Sequence, residues 1–553
     1  MPRRRAGGGR AAAAEGTRAD DSRRLNACNA GPATPRATVG RCRVMSVAGR
    51  RWMIVRSRSH RPRAAPRPAR VAVIGGGIAG VSAALVLAER GMPVTLIERE
   101  SRLGGRLAAW PHRLADGSTH MVGHGFHGFF RQYYTWRAIL RRIDPELGFL
   151  RPLGRYPVLS RAWPTEDFAN LPHLPLLNLA ALVARSPSLR LRDLRDLDRA
   201  AAWALLSYER RRTYGEYDHV PAARFLDSLR LTDRARAMLF DVFAHSFFNR
   251  EETMSAAEMI MMFHFYFLGN PEGLDLDAPT EDYATAIWQP LAARLDALGA
   301  DIRLAEPVDR VEPAGDSWRV TLRGGAGVIC RYAVLAADPS GVRTLGAASS
   351  GLARTAPRLA TQLCELGVAA PYAVARLWTS RCCEPRRAAF NAVTREATLD
   401  SVTVCHEIEQ QARRWAAHRG GGVLELHAYA CEDGLDADTA AARMRAELAG
   451  LWPETASMAV LDQHARVERN APAYGVGSDR TRPGVVTEAP GLYLAGDWVR
   501  LPFPSALMER AAASGVLAAD QVLADAGAAL EPIRCVRPRG VLALAGSRAG
   551  AKG

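Results

Sequence analysis

A chain of 553 residues that is 48% hydrophobic has room for roughly two to four domains and a sizeable core. No apolar run reaches the roughly 18–20 residues needed to span a bilayer and no apolar h-region opens the chain, which leaves a soluble or monotopic protein. The formal net charge of +16 excludes nothing until it is located: residues 1–70 carry 18 Arg against Glu15, Asp20 and Asp21, or +15, and the rest sums to about +1, so no nucleic-acid partner is read from it.

The nine cysteines form no C-x-x-C pair and no Cys/His set at zinc spacing, so no metal site is expected and the reduced thiols of a cytoplasmic protein are the default. Lys552 is the only lysine. The abundance of Arg and Ala is a compositional bias and carries no function.

Residues 1–69 are rich in Arg, Ala, Gly and Pro and are expected to be disordered, because they cannot bury enough apolar surface to offset the entropy of ordering. Three origins stay open: an over-extended start with Met45 or Met53 as internal starts, an organellar transit peptide, or a tether to anionic lipid.

Residues 71–74, VAVI, have the continuous apolar character of a buried parallel strand, and Gly75-Gly76-Gly77-Ile78-Ala79-Gly80 follows as G-x-G-x-x-G. Residues 81–90 read as a helix stopped by Gly91, and residues 94–97 as a second strand ending at Glu98. In this βαβ unit Gly75 permits the tight turn, and Gly77 lets the amides of the helix start, at Ile78 and Ala79, approach a pyrophosphate. Gly80 lets helix and strand pack closely, and Glu98 accepts from a ribose hydroxyl.

Glu98 is followed by Arg99-Glu100-Ser101-Arg102-Leu103-Gly104-Gly105-Arg106. This stretch resembles the E-x5-GGR extension of flavoproteins of the amine oxidase and phytoene desaturase superfamily, which nicotinamide-only dehydrogenases lack. The resemblance implies FAD as cofactor, with Gly104, Gly105 and Arg106 wrapped round its phosphate side.

Residues 116–134, DGSTHMVGHGFHGFFRQYY, hold glycines that let a backbone pass close to something flat, and His120, His124 and His127 within eight positions. No carboxylate or Cys completes a metal set, and His in such segments usually bonds backbone or cofactor. In the superfamily the equivalent segment runs along the isoalloxazine, which makes His124, Phe126, His127 and Arg131 the candidate catalytic shapers.

The run HGFHGFFRQYYTWRAILRRIDP also resembles the signature segment of the carotene desaturase/aromatases, the isorenieratene synthase family. Residues 254–271, MSAAEMIMMFHFYFLGNP, and 491–515, GLYLAGDWVRLPFPSALMERAAASG, resemble the same family, so that the likeness covers about residues 70–525.

Residues 171–184, LPHLPLLNLAALVA, are too short to span a bilayer; a dip into one and a core helix both stay open. Residues 259–268, MIMMFHFYFL, are apolar on every face and read as a buried helix. Its Met residues are either core or the soft lining of a polyene tunnel, and His264 within it is a further candidate shaper.

Residues 287–311 read as helix, Gly stop, strand, Pro and strand, and the resemblance implies that the backbone near Val308 meets the adenine. Residues 318–322 and 332–336 read as strands, whereas 340–470 show no chemical motif. Leu492-Tyr493-Leu494-Ala495-Gly496-Asp497 resembles the superfamily's C-terminal flavin motif, with the Asp497 carboxylate accepting from a ribityl hydroxyl. The helix after it, residues 505–524, aims its N-terminus at the flavin, and its small residues 511–515 are expected to pack on the flavin edge. Residues 531–553 are expected to fray.

The expected fold is therefore α/β: a Rossmann-type FAD-binding domain in three parts, 70–150, 281–345 and 471–530, interleaved with an α+β substrate domain, 151–280 and 346–470, the first part of which faces the membrane. The resemblance implies FAD-dependent desaturation of a carotenoid, in its most specific form aromatisation of a β-ionone ring with methyl migration. Aromatic faces such as Phe126, Phe129 or Tyr133 would stabilise the positive charge this requires.

The alternatives are another carotenoid desaturation or isomerisation, flavin amine oxidation, and non-catalytic lipid binding. Amine oxidases commonly hold a Lys near flavin N5, and the body of this chain has none. Lipid-binding relatives need not keep Glu98, Gly104-Gly105-Arg106 and Asp497, all present here. With one dinucleotide site visible, oxygen, a quinone or a membrane electron carrier is the expected acceptor, and the expected location is cytoplasmic and peripheral on a membrane surface.

Overall fold

The computed structural model of the chain describes residues 43–47, 50–55, 61–540 and 542–543. At its centre lies a parallel sheet in the order Asp301–Arg303, Val94–Ile97, Val71–Ile74, Tyr332–Leu335 and Leu492–Leu494. Val71–Ile74 is buried at every position, as a strand covered on both faces requires, which is why it reads as an unbroken apolar run. The sheet is thus drawn from three distant parts of the sequence.

Two helices cover it. Ile78–Ala88 follows the first strand and is buried along its whole length, and the 20-residue helix Leu507–Ala526 crosses it. A Cβ on Gly515 would stand 2.1 Å from the Ala79 carbonyl oxygen. The small residues at 511–515 therefore serve helix contact as well as the cofactor side expected of them, where Ala511 reaches the site cavity. Beside the parallel sheet, Val308–Ala314, Ser317–Leu322 and Gly327–Cys330 form an antiparallel sheet.

A seven-stranded mixed sheet forms the second layer, in the order Glu166–Asp167, Pro157–Leu159, Phe390–Val393, Ser401–Val404, Gly422–Ala428, Tyr372–Thr379 and Val460–Glu468. Helices between residues 177 and 268 complete it. Among them Ala256–Phe263 and the π-helical turn His264–Leu268 are buried throughout, as an all-round apolar sequence requires. The helix Leu177–Arg185 buries only Asn178 and Leu182, and Leu174 and Leu177 remain 64% and 53% exposed. Among the described residues no helix is long and apolar enough to cross a membrane.

Two expectations need correction. The segment 1–69 is expected to be disordered; residues 1–42, 48–49 and 56–60 lie outside the described residues, but Arg43–Val47 and Arg50–Val55 pair as antiparallel strands. The tail after 530 is expected to fray; residues 541 and 544–553 lie outside the described residues, but Ile533–Cys535 pairs with Arg50–Val55. The Arg537 amide donates to the Gly269 carbonyl at 3.1 Å and the Gly540 amide to that of Tyr208 at 2.7 Å. Local composition carried neither result, because the backbone groups of both segments find their partners in each other and in distant elements.

Candidate active site

The nucleotide motif folds as a tight turn. Gly75 has φ +113°, and a Cβ there would lie 2.6 Å from the Ala336 carbonyl oxygen. Gly80 is as constrained, since its Cβ would fall 1.9 Å from the Gly75 oxygen. The helix starts at Gly77 without a side-chain cap, so the first amides keep their hydrogen-bonding capacity for a ligand.

Glu98 is buried at the end of its strand and accepts from the Gly76 amide at 2.5 Å and the Glu100 amide at 2.9 Å. Burial raises its carboxyl above the ordinary range, opposed by those two amides. Each oxygen retains a lone pair for a further donor.

The second glycine pair folds back over the first, with the Gly104 amide donating to the Gly76 carbonyl at 2.9 Å. Arg106 Nη2 donates to Asp497 Oδ1 at 2.6 Å. Burial alone would lower the guanidinium, but Asp497 outweighs it and holds Arg106 above its usual range. Asp497 is anchored in turn, its carbonyl accepting from the Tyr474 hydroxyl at 3.0 Å. The Gly496 amide donates to Ser514 Oγ at 2.8 Å. Val308 sits at a β-bulge before Arg310.

Of the predicted cofactor positions, Gly75, Gly77, Ile78, Ala79, Glu98, Gly104, Gly105, Arg106, Val308, Gly496 and Asp497 line one cavity of about 820 Å³. Gly80 stands behind its wall in the packing role expected of it. The uncapped helix start, the close-set glycines and the buried carboxylates fit FAD.

The same cavity continues into an aromatic chamber that includes Phe126, Phe130, Tyr133, Tyr266, Phe390 and Tyr429. Phe126 stacks on Phe390 with ring centroids 4.8 Å apart. His124 and His127 lie on the wall between the two ends. Burial, together with nearby cationic groups, pushes the His124 imidazole down to about 3. Burial takes His127 down to about 4 against the pull of the Gly125 carbonyl, which lies 2.8 Å from its Nδ1. Both rings are neutral at physiological pH.

Three predicted residues and the methionines of one helix lie elsewhere. Arg131 is off the cavity wall and pairs with Asp275 at 2.7 Å and Asp277 at 3.6 Å. His264 is turned away from the chamber; its Nε2 meets the Arg537 carbonyl at 2.8 Å and its ring stacks on Tyr208. Phe129 is buried behind the chamber against Tyr283. The methionines of residues 259–262 are core, and the soft lining comes from Met238 and Met508 instead. A helix apolar on every face gives no local signal of which face meets a cavity.

Sequence reasoning missed a polar group on the floor of the chamber. Strand Gly422–Ala428 places Glu425 and His427 on one face at alternate positions, with Tyr429 next in step. His427 Nε2 lies 3.0 Å from Glu425 Oε1 and its Nδ1 3.0 Å from the Tyr429 hydroxyl. Arg376 donates to Glu425 at 2.9 Å and to Glu409 at 2.8 Å. Burial works to raise Glu425, but Arg376 and His427 outweigh it and hold the carboxyl at about 2.

Gly125 has φ +100°, and its Cβ would stand 2.5 Å from His427 Nε2. At Gly125 the flat group beside the backbone is therefore an imidazole. The pattern E-L-H-A-Y inside an apolar strand was the available signal.

A model of the family described as flavin containing amine oxidoreductase matches residues 78–523. A carotenoid phi-ring synthase of Streptomyces griseus is 42% identical over 464 residues, 82% of this chain and 87% of its own length. One from Chlorobaculum tepidum is 27% identical over 603 residues, 86% of this chain and 92% of its own. The solved structure of putrescine oxidase with bound putrescine superposes with a TM-score of 0.59 at 16% identity, covering 83% of this chain and 99% of that one. At that identity the likeness speaks for the fold.

Proposed function

The chain belongs to the family of flavin-containing amine oxidoreductases, and from that premise we propose that it aromatises the β-ionone ring of a cyclic carotenoid, one ring methyl migrating to the neighbouring carbon. At the coarser level it is a carotenoid-modifying flavin oxidoreductase. The observation that carries the finer reading is the continuity of one cavity from Glu98 and Gly104 at the nucleotide end to Phe126, Phe130, Tyr133 and Phe390 at the other.

FAD, when bound, supplies the acceptor for a hydride. The chain's own residues supply position and environment. Glu98 and the Arg106–Asp497 pair hold the dinucleotide. The chamber excludes water, which would otherwise trap a cationic ring. A gem-dimethyl carbon blocks aromatisation, so the ring must carry positive charge while a methyl moves, and protons must then leave. The faces of Phe126, Phe130 and Tyr133 stabilise such a charge by roughly 0.5–2 kcal/mol each. Because His124 and His127 are neutral, neither imidazole opposes it.

The carotenoid enters from a membrane surface in this reading, with exposed Leu174 and Leu177 as the contact on the cytoplasmic side. Oxygen, a quinone or a membrane electron carrier takes the electrons onward.

The test supplies β-carotene in lipid vesicles to the FAD-loaded protein and examines the product by NMR for an aromatic ring with a displaced methyl. Unchanged β-carotene beside efficient turnover of an acyclic carotenoid moves the assignment to an ordinary desaturase.

A further inference from the structure

Removing hydrogen from a carotenoid ring takes a proton for every hydride, so the chamber needs a proton acceptor. The other two histidines on its wall do not serve well. His124 has no hydrogen-bond partner for Nδ1 among the described residues and lies 3.8 Å from Glu468. His127 is tied to the backbone of its own segment. Among the described residues of the wall, His427 joins the hydroxyl of the lining residue Tyr429, which also lies 3.3 Å from Ser401 Oγ, to a buried carboxylate on its other side.

The wiring has a direction. The Phe126 amide donates to His427 Nε2 at 3.2 Å when that nitrogen is bare; with the proton on Nε2 it donates instead to the Glu425 carboxylate 3.0 Å away and the amide bond is given up, an exchange that the full negative charge favours. Nδ1 is then left to accept from the Tyr429 hydroxyl. Glu425 and Glu409 share the single guanidinium of Arg376, so this buried group has one negative charge more than positive when both are ionised.

We propose that Tyr429, His427 and Glu425 form the proton relay of ring desaturation, with Tyr429 as the catalytic residue at the substrate and His427 and Glu425 as positioning residues behind it. The inference rests on the carotenoid-ring reading above. A ring C–H bond of the cationic substrate breaks, its electron pair entering the ring as a new π bond. The proton goes to Tyr429 Oη as the phenolic proton passes to His427 Nδ1, while His427 Nε2–H stays on Glu425. FAD, when bound, would supply the acceptor for the hydride that accompanies each proton, so one hydride and one proton account for each double bond.

The experiment uses the full chain loaded with FAD and β-carotene in phosphatidylcholine vesicles, in single turnovers without oxygen, with ordinary and ring-deuterated substrate. Tyr429→Phe and His427→Gln should keep their FAD content but react slower by roughly a hundredfold or more, with a larger deuterium isotope effect because proton loss has become limiting. Glu425→Gln should also raise the isotope effect, a change that a merely structural carboxylate would not cause.

If His427→Gln or Glu425→Gln fails to fold, Tyr429→Phe, which deletes one hydroxyl, decides the matter. Variants that react within about threefold of the wild type, with an unchanged isotope effect, overturn the relay and leave the carotenoid reading standing. A wild type inert towards cyclic and acyclic carotenoids alike overturns the reading beneath it.

Discussion

Arg106 and Asp497 lie 391 positions apart and meet at 2.6 Å on the wall of the cofactor cavity. Each belongs to a separate flavin motif, so the ion pair joins the end of the first motif to the end of the last. Asp497 is almost wholly buried, whereas Arg106 keeps about a third of its side chain exposed.

Asp497→Asn keeps the shape and removes the charge. Losing a charge-assisted hydrogen bond of about 1.5–3 kcal/mol should raise the FAD dissociation constant roughly ten- to hundredfold. Equilibrium dialysis against FAD measures this. An unaltered constant would mean that the pair serves the fold alone.

Glu98→Ala strips acceptors from the Gly76 and Glu100 amides as well as from a ribose hydroxyl, and about 1.5–3 kcal/mol of FAD binding should go with it. Glu98→Gln retains one acceptor oxygen and should fall between wild type and the alanine variant. Flavin fluorescence on titration of the apoprotein ranks the three.

Glu509, in the helix that ends the cofactor domain, accepts from the amides of Thr135 and Trp136. Burial nonetheless pushes its carboxyl up to about 8. A folded value above the unfolded one means that the native state holds the proton more tightly. The contribution is full below the ordinary carboxylate value of 4.5 and is lost as pH rises towards 8. The melting temperature should decline across that window, and Glu509→Gln should flatten the decline. An identical slope in the two proteins counts against this assignment.

Gly515→Ala puts a methyl 2.1 Å from the Ala79 oxygen, which the nucleotide helix can relieve only by moving. Overpacking of this kind costs about 1–3 kcal/mol. The urea midpoint should fall with an unchanged m-value, and FAD should be held less firmly because the shifted helix presents its amides to the cofactor.

A chain ending at Leu530 loses the strand Ile533–Cys535 and also Glu531, which pairs with Arg90 at 2.6 Å and Arg142 at 2.8 Å. Arg90 is buried, so its melting temperature should drop on truncation. A chain that melts where the full one does would restore the view of a frayed tail.

The cofactor half of the molecule was legible because its chemistry is local. A turn needs Gly75, a helix start needs bare amides, and each leaves its mark within a few residues. The chamber was legible only in outline. Phe126 and Tyr133 reach it while Phe129, in the same run, turns its back, because a two-residue strand at Phe129–Phe130 sends neighbours to opposite sides. Arg131 and His264 were attractive as residue types, yet their partners, Asp275 and the Arg537 carbonyl, come from remote segments. The Glu425, His427 and Tyr429 alternation was visible in principle, but it gains meaning only when Gly125 brings another strand of backbone onto the imidazole.

The contact of Gly515 with Ala79 has a consequence for the life of the chain on the ribosome. The edge strand Leu492–Leu494 and the helix that follows it are made long after the first βαβ unit, and without them the strand Tyr332–Leu335 has a bare edge and the helix of that unit lies uncovered. At common synthesis rates the early unit waits on the order of tens of seconds for them. Long-range closure of this sort is slow and exposes apolar surface meanwhile. FAD cannot template the early unit by itself, since Arg106 has no Asp497 until then, so flavin loading follows synthesis and the nascent protein is a natural client for chaperones.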